Sequence, residues 1–204
     1  LAVSRAVGQA LRHGRVVSGG STLTMQVARL LERRGTGAWT GKLRQVRVAL
    51  ALERALTKDQ ILSLYLTLAP FGANIEGVRA ATLAWFGKEP HRLSPAEAAL
   101  LVALPHSPTG RRPDRFPQSA LVARNRVLAR ATEAGVLSPE QHVVATREAL
   151  PHHMRPFPQL APHLADRVVR AAPEHLRHDL SVNAAWQAKL DTLAAETVLA
   201  QGAD

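Results

Sequence analysis

A run of hydroxyl, amide and guanidinium side chains follows a double glycine near the start of the chain. Residues 19–29 read GGSTLTMQVAR, which predicts a helix that begins after the glycines and is capped by Ser21. At the helical period Thr22, Gln26 and Arg29 share one face of this helix. Such donors, beside free N–H groups at a helix N-terminus, suit an anionic or sugar ligand. The same pattern is also typical of an ordinary amphipathic surface helix, so both interpretations stay open.

A second predicted helix, residues 42–56, carries polar side chains within its apolar arc. Lys42, Gln45 and Glu53 fall in that arc at about 100° per residue. The apolar members of the arc are Leu43, Val46, Ala49, Leu50, Leu52 and Leu56. An unpaired buried amide costs about 1–3 kcal/mol, and a lone charge costs more. These polar groups therefore either pair inside the fold or line a cleft.

Local signals predict the ends of further helices. The sequence contains capping boxes at residues 57–60, 94–97 and 138–141, each of which predicts a helix start. Gly72 and Gly77 lie between two predicted helices and suit backbone positions with positive φ. The sequence therefore predicts a chain of short helices joined by defined turns.

The composition favours an anionic partner. The 204 residues include 26 Lys and Arg against 16 Asp and Glu, a formal charge of +10. Nucleic acid, acidic lipid headgroups and pyrophosphate all match such a charge. Aromatic residues make up only 4% of the chain, which disfavours binding of single strands by base stacking. The absence of cysteine excludes disulfides and thiol chemistry, and no metal-ligand spacing or cofactor motif is present.

Four ordered segments resemble signatures of the peptidoglycan glycosyltransferases, glycosyltransferase family 51, of class A penicillin-binding proteins. They are GGSTLTMQVARLL, GKLRQVRVALALE, residues 58–88, and LSPAEAALLVALPHSP. Gln45 stands where most of the family has a second catalytic Glu, and with residues 69–72 it resembles the 1C type. The resemblance covers about residues 1–135 and implies a mainly α, lysozyme-like fold, N-terminally truncated. The truncation is expected because the family's first signature, which carries its catalytic Glu, is not found before Gly19.

The resemblance also implies a domain division and a set of site residues. Residues 1–150 are expected to form the glycosyltransferase domain, and 151–204 a linker and the start of the region leading to an absent transpeptidase domain. The implied substrate-binding residues are Ser21, Thr22, Gln26, Arg29, Lys42 and Arg44. Gln45 and Glu53 occupy the candidate catalytic positions. No residue is expected to bind a metal from its spacing, although the resemblance allows a divalent cation.

The function implied by the resemblance is that of a longer parent protein. The parent would polymerise lipid II into glycan strands at the periplasmic face of the bacterial inner membrane, where a transpeptidase domain cross-links them. Its partners would be lipid II, the growing strand, the membrane through an N-terminal anchor absent here, and other cell-wall synthesis proteins, but not nucleic acid. The present chain is expected to bind lipid pyrophosphate or moenomycin-like ligands without polymerising lipid II alone.

Two other classes of function stay open. The chain could be a non-catalytic module that binds lipid II or glycan, or that serves in protein interactions. It could also be a basic helical nucleic-acid binder, although its Arg and Lys residues are scattered instead of concentrated on one recognition helix. Titration with lipid II, duplex DNA and soluble muropeptides separates the three classes.

Overall fold

The computed structural model describes residues 22–32, 39–157, 160–175 and 178–201, within two compact units, Leu1–Arg155 and Pro156–Asp204. The described helices of the first unit are α1 (Leu23–Leu31), α2 (Trp39–Ala55), α3 (Lys58–Leu68), α4 (Val78–Phe86), α5 (Pro95–Ala103), α6 (Pro117–Glu133) and α7 (Pro139–Arg147). Short 3-10 helices span Pro90–Arg92 and Leu104–His106. The second unit contains α8 (Pro162–Ala171) and α9 (Ala184–Gln201). The expectation of a mainly α fold is confirmed, whereas the roles assigned to residues 1–150 and 151–204 stay predictions.

The three predicted capping boxes are present. At the start of α3, the Thr57 hydroxyl accepts a hydrogen bond from the Gln60 N–H at 3.2 Å, and the Gln60 side chain accepts from the Thr57 N–H at 2.8 Å. The same reciprocal pair forms between Ser94 and Glu97 and in the box that begins α7. Each box satisfies two N–H groups that the first helical turn leaves without partners, so local sequence suffices to place these helix starts.

The main hydrophobic core lies among α4, α5, the start of α6 and the turn before α4. Its buried members are Ala69, Phe71, Ile75, Ala81, Ala84, Trp85, Leu100, Leu101, Leu104 and Ala120. The Trp85 indole N–H donates to the Phe71 carbonyl at 3.1 Å, so the one polar atom of this buried ring has a partner. This core holds the α3–α4 turn and the segment after α5 in fixed positions.

A tight bend connects α3 to α4 and requires glycine at two positions. Gly72 has φ +102° and Gly77 has φ +86°, as the sequence predicts. A Cβ at Gly77 would lie 2.8 Å from the Thr67 carbonyl oxygen, which leaves no room for any other residue. The bend, closed by a hydrogen bond from the Phe71 N–H to the Ile75 carbonyl, fixes the position of Pro70 at its start.

The buried face of α2 differs from the predicted apolar arc. The buried side chains are Gln45 and Ala49, whereas Leu43 and Leu50 are 66% and 53% exposed. The apolar arc therefore differs from the buried face, because α2 turns toward α1 and α3 the stripe that contains Gln45 and Ala49. Lys42 and Glu53, also placed in the arc, are exposed.

None of the described helices combines the length and apolar composition needed to cross a lipid bilayer.

Candidate functional site

Helix α1 presents two of the predicted site residues on its outer side. The helix is capped by Thr22, whose Oγ1 accepts a hydrogen bond from the Met25 N–H at 3.2 Å. The predicted cap at Ser21 is therefore wrong by one position, and Ser21 itself lies outside the described residues. Because Val27 and the neighbouring alanine pack inward, Gln26 and Arg29 remain exposed.

A cleft of about 770 Å³ separates α1 and α2 from the segment that follows α5. Its lining residues are Met25, Gln26, Arg29, Leu30, Lys42, Gln45, Tyr65, Pro70, Pro105, His106 and Pro108. The volume is within the range of about 300–1,000 Å³ typical of small-molecule sites. The described lining contains two cationic side chains, two amides, an imidazole and a phenol, but no carboxylate. The cleft therefore suits an anion that also accepts hydrogen bonds.

Gln45 lines this cleft and carries an unsatisfied donor. Its side chain is 7% exposed, and its Nε2 is buried without a hydrogen-bond partner among the described residues. Leaving a buried amide unpaired costs about 1–3 kcal/mol, a cost that an acceptor oxygen of a bound ligand removes. Gln45 is therefore a candidate binding group, because it lines the cleft and its amide has a donor without a partner among the described residues.

Arg29 and Lys42 supply the positive charge of the cleft. Neither side chain forms an ion pair with any residue in the described part of the chain. Arg29 comes from α1 and Lys42 from α2, and the packing of these two helices brings both to one cleft with Gln26 and Gln45. A guanidinium and an ammonium on adjacent helices can contact the separate phosphates of a diphosphate.

Three predicted site residues do not line the cleft. The Thr22 hydroxyl is used in the cap of α1. Arg44 donates from Nε to a carboxylate oxygen of Glu32 at 2.9 Å and lines a separate groove on α2. Glu53, the other candidate catalytic residue, accepts from the Thr24 hydroxyl at 2.6 Å and from Lys58 at 2.7 Å. These contacts make Glu53 a brace between α1, α2 and α3.

The brace predicts a pH-dependent contribution of Glu53 to stability. Hydrogen bonds from Lys58 and then Thr24 hold the pKa of Glu53 below the ordinary carboxyl value of 4.5. A lowered pKa stabilises the fold above the ordinary value, and this gain is lost as pH falls through the lowered one. We expect Glu53→Gln to lower the thermal midpoint at pH 7, with the difference from wild type shrinking as the pH falls below 4.5.

The matched control is Glu133→Gln, since Glu133 is an exposed carboxylate at the end of α6. Circular dichroism melts of both variants, from pH 7 to below pH 4.5, measure the effect. A Glu53→Gln difference that stays constant with pH would contradict the brace.

Tyr65 and His106 line the cleft but were not predicted as site residues. Tyr65 is on α3, and burial raises the pKa of its hydroxyl. In the sequence Tyr65 belongs to an apolar helix face, and His106 lies in the last of the four segments that resemble family signatures, where no site residue is implied. Only the packing of α3 and the 3-10 helix at Leu104–His106 brings these side chains to the cleft, so no local signal marks them.

The lining does not fit the divalent cation that the family resemblance allows. Mg²⁺ and similar ions take carboxylate, carbonyl and water oxygens, whereas the polar side chains of the described lining are two cations, two amides, an imidazole and a phenol. In the described residues, no group of three or more His, Cys, Asp or Glu is placed to hold a metal ion.

Comparison with known families identifies the class of protein. Residues 1–132 match the family model described as Transglycosylase, which is more than half of the chain. The chain belongs to the transglycosylase family, and the resemblance to the peptidoglycan glycosyltransferases of penicillin-binding proteins is confirmed.

Individual relatives are much longer than this chain. It is 46% identical over 192 residues to penicillin-binding protein 1C of Escherichia coli (strain K12), covering 94% of this chain and 25% of that protein. It is 39% identical over 150 residues to penicillin-binding protein 1A of Aquifex aeolicus (strain VF5), covering 74% and 21%. The crystal structure of penicillin-binding protein 1A from Haemophilus influenzae has 22% identity and a TM-score of 0.45, over 76% of this chain and 20% of that one. The chain thus spans about a quarter or less of these proteins.

Proposed function

We propose that this chain binds the diphosphate-linked disaccharide of lipid II as the substrate-binding part of a peptidoglycan glycosyltransferase. The observation that carries the proposal is the buried, unpaired amide of Gln45 in one cleft with Arg29 and Lys42. A diphosphate offers acceptor oxygens to the amide and negative charge to both cations. The exposed amide of Gln26 on the same cleft provides further hydrogen bonds for a sugar or phosphate oxygen.

The cleft residues would act on the departing diphosphate. In the transfer, a sugar hydroxyl forms a bond to the anomeric carbon of the donor while the bond from that carbon to the diphosphate oxygen breaks. The electron pair leaves with the diphosphate, so negative charge develops on it as the bond breaks. Arg29, Lys42 and Gln45 would stabilise that charge, which lowers the barrier because the donors are already in position.

The proton of the attacking hydroxyl needs a base, and the described lining of this cleft offers no carboxylate for that step. The described lining contains no Asp or Glu, and residues 1–31 contain none in their sequence. The amide of Gln45 cannot take a proton at neutral pH, so it cannot replace a carboxylate as general base. The proposal is therefore that the chain by itself binds lipid II without polymerising it.

In the parent protein the same cleft would serve glycan polymerisation at the periplasmic face of the bacterial inner membrane. Lipid II and the growing strand would be its ligands, and the transpeptidase domain of the parent would cross-link the product. The relatives with which the chain aligns are penicillin-binding proteins, which supports this assignment. Other cell-wall synthesis proteins remain proposed partners of the parent only.

The lack of a carboxylate in the described lining favours a second candidate, a non-catalytic module that binds lipid II or glycan. The two candidates share the cleft and differ only in whether a base completes it in the parent. If the chain forms glycan strands once the parent's upstream segment is added, the glycosyltransferase candidate is supported. If no strands form, the non-catalytic binding module is supported.

Titration of the chain with labelled lipid II in detergent micelles tests the proposed binding. We expect saturable binding of lipid II, little binding of soluble muropeptides, and salt-sensitive, weak binding of duplex DNA. Glycan strands formed by the chain alone would contradict the missing-base argument. Tighter binding to DNA than to lipid II would overturn the proposed function.

Replacing Gln45 separates a ligand-binding role from a structural one. Gln45→Met keeps the side-chain length but removes the unpaired amide, so we expect unchanged or slightly higher stability. Binding of lipid II should weaken by about tenfold, because one buried donor to the diphosphate is lost. Urea unfolding and lipid II titration on the same preparation measure both effects. A loss of stability with unchanged binding would show that the amide serves the fold alone.

A further inference from the structure

His106 lies on the cleft wall contributed by the segment after α5, apart from the walls formed by α1 and α2. It ends the 3-10 helix Leu104–His106, which is anchored by the fully buried Leu104 and closed by a hydrogen bond from the Ser107 N–H to the Leu104 carbonyl at 3.0 Å. The imidazole is exposed to the cleft. No hydrogen-bond or ionic partner holds it among the described residues, so it is available to a ligand.

We propose that His106, in its protonated form, is a third cationic contact to the ligand's diphosphate and makes binding in this cleft tighter at acidic pH. This inference rests on the proposed function, since it concerns the same ligand and the same cleft. It assigns to the wall after α5 a role in recognition that the sequence does not reveal.

The charges around His106 determine the direction of the effect. Arg29 on α1 and Lys42 on α2 carry permanent positive charge at neutral pH, and Tyr65 on α3 is a neutral phenol. The remaining polar lining residues are the two neutral amides. The negative charge of a bound diphosphate favours the protonated ring, so binding takes up a proton and becomes stronger as the pH falls.

A different role for His106 would produce the opposite dependence on pH. If the neutral ring were needed, as a base toward a sugar hydroxyl or as a hydrogen-bond acceptor, binding or reaction would improve as the pH rises. The sign of the pH dependence therefore distinguishes a cationic contact from a base.

The test compares binding at about pH 5.5 and about pH 8, on either side of the usual titration range of histidine. The first probe is farnesyl-diphospho-N-acetylglucosamine, a diphosphate diester whose two phosphates each keep one negative charge across this range. The second probe is inorganic pyrophosphate, which shows whether the phosphate chemistry alone is sufficient. Wild type is compared with His106→Gln and with the control His91→Gln, an exposed histidine outside the cleft. Thermal melts verify that both variants are folded.

We expect wild type and His91→Gln to bind the diester probe about fivefold more tightly at the lower pH, a size appropriate to one exposed charge contact. His106→Gln should lose this dependence on pH. A pH dependence that persists in His106→Gln, or binding that strengthens with rising pH, would overturn the inference while leaving the proposed function intact. If wild type binds neither probe at either pH, the proposed function fails as well.

Discussion

Lys42→Glu is expected to weaken binding of lipid II by about 100-fold, which corresponds to about 2.7 kcal/mol. The variant removes one of the two permanently cationic side chains in the described cleft lining and places a negative charge beside the diphosphate. Losing a charge-assisted hydrogen bond costs about 1.5–3 kcal/mol, and the new repulsion adds to that loss. Titration of the variant with lipid II at constant ionic strength measures the effect.

The control for this charge reversal is Arg47→Glu on the same helix. Arg47 lines the separate groove on α2, so the variant changes the net charge of the chain identically without changing the cleft. We expect its affinity for lipid II to stay within about threefold of wild type, because exposed charges at a distance are largely screened by salt. Equal losses in the two variants would mean that binding depends on overall charge and not on this cleft.

Arg124→Met is expected to destabilise the first unit by about 3 kcal/mol. Arg124 is on α6 and is only 1% exposed, and it donates to the carbonyls of Glu148 at 2.6 Å and Thr146 at 2.9 Å. These carbonyls belong to the C-terminal end of α7, where a helix leaves acceptors without partners. Methionine fills much of the space but leaves both partly buried carbonyls without the donors that Arg124 supplies. Urea unfolding followed by circular dichroism measures the change.

Arg126→Met is the matched control, because Arg126 is exposed on the same helix. We expect it to change the free energy of unfolding by no more than about 0.5 kcal/mol. If Arg124→Met were equally mild, the two hydrogen bonds to α7 would contribute little to stability, and the end of α7 would be held by apolar packing alone.

Local chemistry explains which parts of the fold are predictable from the sequence. Capping boxes such as that at Thr57 place helix starts because donor and acceptor lie within one turn of each other. Gly77 was predictable because φ +86° is a backbone requirement that glycine meets. The buried face of α2 was not predictable, since Leu50 and Ala49 are both apolar and only the positions of α1 and α3 decide which one packs.

The candidate site likewise contains residues that the sequence predicts and residues that it does not. The sequence places Gln26 and Arg29 on one helix and Lys42 on the next. Helical spacing and the family signatures together predict that these residues belong to one site, and in the structure all three line the same cleft. His106 was missed because it reaches the cleft through tertiary packing of a segment more than 60 residues away from Lys42 along the chain. Arg124 was missed because an arginine within a helix is usually exposed, and nothing in the sequence marks it as buried.

The most direct measurement is a crystal structure of the chain with a short-chain lipid II analogue. We predict that the two phosphates lie in the cleft within hydrogen-bond distance of Arg29 and Lys42, with the Gln45 amide donating to one phosphate oxygen. A diphosphate bound at another surface, with the Gln45 amide still unpaired, would contradict the proposed function.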